Sequence, residues 1–115
     1  MTAYAMAHLR PTALPNDEVL DYIERIQATM DPFGGRFLVH GSEVEDVEGE
    51  FEGALVMLEF PDKAAVRAWY ASDAYQEILP LRTRNIPGTL WICEGVGDGY
   101  DPRATAARMR AMRDA

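Results

Sequence analysis

The sequence predicts an α+β domain in which two β-α-β halves share one four-stranded antiparallel sheet, with helices on one face. Three observations predict it. Segments of period-two apolarity and segments of helical period follow each other in the order β-α-β-β-α-β, the split βαβ pattern. The chain has 115 residues, room for one core but not for a second domain with its own cofactor module. The strand candidates are apolar on both faces, and helices on one side leave the other side bare.

Each element has its own signal. Residues 3–10 alternate small Ala3, Ala5, Ala7 and Leu9 with Tyr4, Met6, His8 and Arg10, the period of a strand with distinct faces. Pro11 and Pro15 bracket a loop. Asn16 then caps a helix whose first turn places Asp17 and Glu18 at the positive end of its dipole. Val19, Ile23, Ile26 and Met30 form its apolar stripe, and the helix ends before Pro32. Gly34 and Gly35 turn the chain into the second strand, residues 36–41. Six acids between Glu43 and Glu52, mixed with glycine, mark a solvated hairpin loop and lack the spacing of a calcium loop. The third strand is the apolar run 54–60. Asp62 caps a second helix that buries Ala65, Val66 and Trp69, and Ser72 caps a further turn or two through Tyr75, Ile78 and Leu79 that Pro80 bends or stops. Pro87 and Gly88 open the last strand, residues 89–95.

An apolar sheet face of this size is not left in water, so a two-fold homodimer or a ligand is expected to cover it. The domain occupies residues 1–100. The tail, residues 101–115, is a separate helical segment with Asp101 as cap and Pro102 at its first position. It holds Arg103, Arg108, Arg110 and Arg113 and carries a charge near +2 in a chain of net charge -8. The tail therefore suits the acidic body of its own or a partner subunit. Eleven basic against nineteen acidic residues disfavour nucleic acid and anionic membranes as partners. No run reaches the roughly 20 apolar residues of a membrane span, and the start lacks a secretory pattern. Cys93 is the lone cysteine, so neither a disulfide nor a thiolate metal cluster is expected, and the reading is cytoplasmic, with no metal and no cofactor.

Two stretches carry a resemblance. FGGRFLVHG, residues 33–41, and LEFPDKAAVRAWYASDAYQEILPLR, residues 58–82, resemble the bacterial family known as domain of unknown function thirteen-thirty. The resemblance spans roughly residues 3–96. It implies a ferredoxin-like protomer of the dimeric α+β barrel group, which includes small monooxygenases and lactone isomerases. A fold of this kind hosts many activities, so the resemblance implies no particular one.

Simple alternation assigns Ala5, Ala7, Phe37, Val39, Val56, Leu58, Phe60, Trp91 and Cys93 to the helix-covered face. The bare face then receives Tyr4, Met6, His8, Leu38, His40, Leu55, Met57, Glu59, Leu90, Ile92 and Glu94. Strand order 4-1-3-2 sets His8 and His40 on opposite walls of one pocket about 10 Å apart, too far to share a metal but within reach of a bridging substrate. Both are candidate proton-transfer residues, and the alternative for each is a hydrogen bond inside the dimer interface. Arg36 opposite Glu59 reads as a structural ion pair. Tyr4 and Met57 are expected to line the pocket, and Tyr75 or Arg82 to close its mouth and hold a substrate's acid group. Two functional readings stay open. One is a cofactor-free monooxygenase or isomerase acting on a small hydrophobic substrate at the sheet face; the other is a non-catalytic dimer that binds a ligand or a protein.

Overall fold

In the computed structural model, which describes residues 1–115, the alternating segments become four strands. These are β1 (Ala3–Leu9), β2 (Arg36–His40), β3 (Ala54–Phe60) and β4 (Gly88–Glu94). The helical segments become α1 (Asp17–Met30), α2 (Lys63–Ala71), α3 (Asp73–Thr83) and α4 (Pro102–Arg113). All strand pairs are antiparallel and the order is β2-β3-β1-β4. This is the ferredoxin-like arrangement, with the two β-α-β halves interleaved so that β1 and β3 are central.

The helices start where short polar side chains satisfy free backbone donors. Asn16, Asp62 and Asp101 cap α1, α2 and α4. Ser72 closes α2 and opens α3, donating to the Trp69 carbonyl at 2.6 Å and accepting from the Tyr75 amide at 3.3 Å. That shared cap holds the Trp69 and Tyr75 rings 4.2 Å apart in the core. α3 runs through Pro80 to Thr83 rather than stopping there. An internal proline costs about 3 kcal/mol, and the buried side chains on either side of it, Ile78 and Arg82, anchor both halves of the helix and offset that cost.

The core lies between one face of the sheet and α1, α2 and α3. It is built from Ala3, Ala5, Leu58 and Phe60 below and Tyr22, Ile26, Met30, Val66, Trp69, Tyr75 and Ile78 above. Burying a side chain of this kind contributes about 1.5–3 kcal/mol, so this layer dominates the stability. The approach of β2 to β3 is tight at Gly35, where a Cβ would stand 2.4 Å from the Phe60 ring. Arg36 pairs with Glu59 across the same strands at 2.9 Å, as the register predicts.

Two strands depart from simple alternation. In β2 the pairing passes from Phe37 opposite Leu58 to Val39 opposite Met57, so Leu38 is the extra residue of a β-bulge. Past the bulge every side chain changes face: Val39 joins the bare side, and His40, opposite Val56, turns to the helix side. In β4 the phase is the reverse of the expected one. Leu90 and Ile92 pair with Ala7 and Ala5 and pack on the core, while Trp91 and Cys93 pair with Met6 and Tyr4 on the bare side. The segment is apolar in both phases, so its own pattern does not choose between them; pairing with β1 does.

The loop 41–53 contains no strand or helix and is largely exposed. No residue of α4 is buried, so the basic helix does not lie on the body of its own chain. No helix is long and apolar enough to cross a membrane.

Candidate functional site

Three alanines of the central strand face the helices, and small side chains there leave space. Ala5 and Ala7 form part of the wall of a cavity of about 520 Å³ between the sheet and helices α1 and α3. Phe37, Val56, Leu58 and Leu90 complete the sheet wall. Val19, Ile23 and Ile26 of α1 and Trp69 of α2 supply the apolar roof. Most of the lining is therefore hydrophobic, as small-molecule sites usually are.

The polar groups sit at two depths. At the buried end Tyr22 and Tyr75 hydrogen-bond through their hydroxyls at 2.8 Å. The guanidinium of Arg82 lies over the Tyr22 ring, 5.7 Å from its centre. Tyr75 is 1% exposed and Arg82 9%. Burial, with Tyr75 beside it, pushes the Tyr22 phenol far above the usual tyrosine range, against the opposing pull of Arg82. Burial acts against the Arg82 charge, but the two phenols outweigh it and leave its pKa above the ordinary value. Beside this group the Trp69 indole donates to the Thr29 hydroxyl at 3.0 Å, and Thr29 donates to the Ile26 carbonyl at 2.6 Å. The indole is thereby fixed in the roof.

At the open end the loop 11–16 faces His40 and Gly41 at the end of β2. The His40 ring stacks on Phe37 with centroids 4.4 Å apart. Asn16 donates to Asn85 at 2.8 Å, and Asn85 donates to Glu18 at 3.2 Å. Arg84 also pairs with Glu18. The Arg84 hydrogen bond, followed by that of Asn85, holds the Glu18 carboxyl below the usual range. This network ties the start of α1 to the end of α3 and frames the opening.

The six residues singled out from the sequence divide between the two faces of the sheet. His40, Tyr75 and Arg82 line the cavity. Tyr75 and Arg82 form its buried end, not its mouth. Tyr4, His8 and Met57 lie on the opposite, helix-free face. His8 and His40 are thus not two walls of one pocket, because the bulge at Leu38 turns His40 away. The Nε2 of His8 meets the Glu52 carbonyl, and its ring lies 4.8 Å from Phe51, which pins the acidic loop to the end of β1. Tyr22 was absent from the sequence-based set. Its signal is a phenol three residues after Val19 and four before Ile26, a polar ring inside the apolar stripe of α1. Nowhere do three His, Cys, Asp or Glu side chains converge as metal ligands would.

The profile of the family described as "Domain of unknown function (DUF1330)" matches residues 2–96. The chain belongs to this family. Among curated proteins none matches the sequence. The DUF1330 chain is also similar in fold to several solved structures. One is RPA0582, a protein of unknown function from Rhodopseudomonas palustris, with TM-score 0.63, 17% identity and coverage of 84% of this chain and 83% of that one. A second is SnoaB, a cofactor-independent oxygenase from Streptomyces nogalater, with TM-score 0.60, 11% identity and coverage of 87% and 98%. A third is a dimeric ferredoxin-like protein of unknown function from Jannaschia sp. CCS1, with TM-score 0.56, 16% identity and coverage of 83% and 100%. At these identities the likeness establishes the fold of the DUF1330 chain and leaves its chemistry to the cavity.

Proposed function

We propose that this DUF1330 protein is a homodimeric small-molecule enzyme of the cofactor-free monooxygenase or isomerase type, acting on a hydrophobic substrate held in the cavity between helices and sheet. The observation that carries this reading is an apolar cavity with a proton-exchanging side chain at its opening and a buried polar group at its far end. His40 stands where a substrate enters, and histidine is the side chain suited to take a proton near neutral pH. The apolar walls orient the substrate, and the Tyr22–Tyr75–Arg82 group holds its polar end. After His40 takes a proton from a carbon next to a carbonyl, returning it to another carbon completes an isomerisation. In the oxygenase branch the carbanion instead gives its electron pair to dioxygen, the required co-substrate, and the resulting carbon–peroxide takes the proton back and loses water, leaving one oxygen atom as a new carbonyl. The dimer is supported by the uncovered apolar face of the sheet and by the dimeric likeness to the Jannaschia protein.

The test is a panel of apolar ketones and phenols followed by proton–deuterium exchange and by oxygen consumption. His40→Ala is expected to slow any activity found by about 10²- to 10⁴-fold, the usual contribution of a general base. His8→Ala tests the geometry, since its ring lies on the other face; a loss equal to that of His40→Ala overturns the assignment. Ligand binding without turnover on the whole panel makes the protein a non-catalytic binding dimer instead.

A further inference from the structure

The buried end of the cavity holds a charge that the chain does not balance. Arg82 is 9% exposed, yet it forms no ion pair with any carboxylate. No Asp or Glu lines the cavity, in a chain with nineteen of them and a net charge of -8. The other arginine of the lining, Arg84, is neutralised by Glu18 at the opening. Tyr22 offers Arg82 the face of its ring and the two phenols offer dipoles, but a protonated phenol supplies no counter-charge. A buried guanidinium without an anion is one of the least favourable arrangements in a protein interior, and it becomes favourable when a carboxylate joins it.

We infer that the cavity selects an apolar molecule bearing a single carboxylate, received by Arg82 with Tyr75 and Tyr22 completing its hydrogen bonds. One unneutralised positive charge matches one carboxylate; a doubly charged phosphate would leave a buried negative charge in its place. The planar fork of arginine also fits the two oxygens of a carboxylate. The inference rests on the cavity being the ligand site, as proposed above, but not on turnover.

The experiment titrates two acid–amide pairs into the full chain at pH 7: 2-naphthoate against 2-naphthamide, and 4-phenylbutanoate against 4-phenylbutanamide. Binding is read by quenching of Trp69, which lines the cavity, in a Trp91→Phe background. At least one acid is expected to bind tenfold or more tightly than its amide. Arg82→Met is expected to abolish that preference by weakening the acid at least tenfold more than its amide, and Arg82→Lys to keep part of it. Where Arg82→Met does not fold, the parent protein's acid-to-amide ratio decides. Equal affinity within both pairs, no binding of either acid, or a preference that survives in Arg82→Met overturns the inference. Tight acid binding without turnover sinks the enzymatic reading and leaves this one standing. Turnover of neutral ketones with no acid preference does the reverse.

Discussion

Trp91 is the residue on which the proposed assembly turns. Register places Val39, Met57, Met6 and Trp91 side by side across all four strands, an unbroken apolar row on the helix-free face. Trp91 is 40% exposed in the single chain, and a side chain presenting about 250 Å² then leaves about 100 Å² in water. Covering that area contributes about 2.5 kcal/mol at about 25 cal/mol per Å², and a two-fold interface contains it twice. Trp91→Ala is thus expected to weaken the dimer by about 2–5 kcal/mol, the lower figure applying if neighbouring side chains close the gap. That is roughly a thirty-fold or greater rise in dissociation constant. Sedimentation velocity over a concentration series measures it. Circular dichroism should show an unchanged fold, because Trp91 lies outside the core cluster. A parent protein that sediments as a single copy at micromolar concentration refutes the reasoning, as does a variant that dimerises as tightly as the parent.

Other consequences follow from the cavity and its frame. Tyr22→Phe removes the 2.8 Å hydrogen bond to Tyr75 and leaves a buried hydroxyl short of a partner, at about 1–3 kcal/mol; thermal unfolding should fall by about 4 °C or more, and an unchanged midpoint would show that the pair contributes nothing. Ala7→Leu places an isopropyl group in the cavity wall and should abolish ligand binding while stability, read by urea unfolding, stays equal or rises; retained binding would mean that ligands sit elsewhere. The Glu18 carboxyl has a folded-state pKa below its ordinary value of 4.5, so its stabilising contribution is present above that value and disappears as pH falls through the depressed one. Glu18→Gln should therefore flatten the stability profile below pH 4.5, and a profile parallel to that of the parent counts against the Arg84–Glu18 tie.

Local signals in the chain are enough for the elements and their order. Asn16, Asp62, Ser72 and Asp101 each cap the helix they were expected to cap, because a short polar side chain before an apolar stripe satisfies backbone donors whatever packs later. The alanines of β1 also reveal their buried face, being small on one side and bulky on the other. What fails is every inference that needs a partner strand. The bulge at Leu38 has no mark of its own, since RFLVH reads as plain alternation; it appears only when β3 is laid against it. That one extra residue moves His40 from the bare face to the cavity and undoes the pairing of the two histidines. In β4 both phases are apolar, and simple alternation assigned Trp91 to the covered face where the pairing with Met6 sets it on the bare one. Tyr75 and Arg82 were expected at the mouth of a pocket; their place at the buried end of the cavity depends on α3 continuing past Pro80, which the local pattern does not announce.

The cavity is hard to explain as a packing accident. Interiors pack at a density near 0.75, and a void left by truncated side chains costs about 24 cal/mol per Å³. A closed, dry space of about 520 Å³ would at that rate cost about 12 kcal/mol, comparable with the whole stability of a domain. The space is therefore open to solvent between the loop 11–16 and His40, or filled. A chain shaped for stability alone would close it with larger residues at positions 5 and 7 and with a leucine in place of Arg82. It instead keeps two alanines in the wall and an unpaired guanidinium at the end, two independent departures from best packing that meet in one place. A ligand that displaces water from the space and answers the charge acts on both features at once, and no carboxylate of the isolated chain answers that charge.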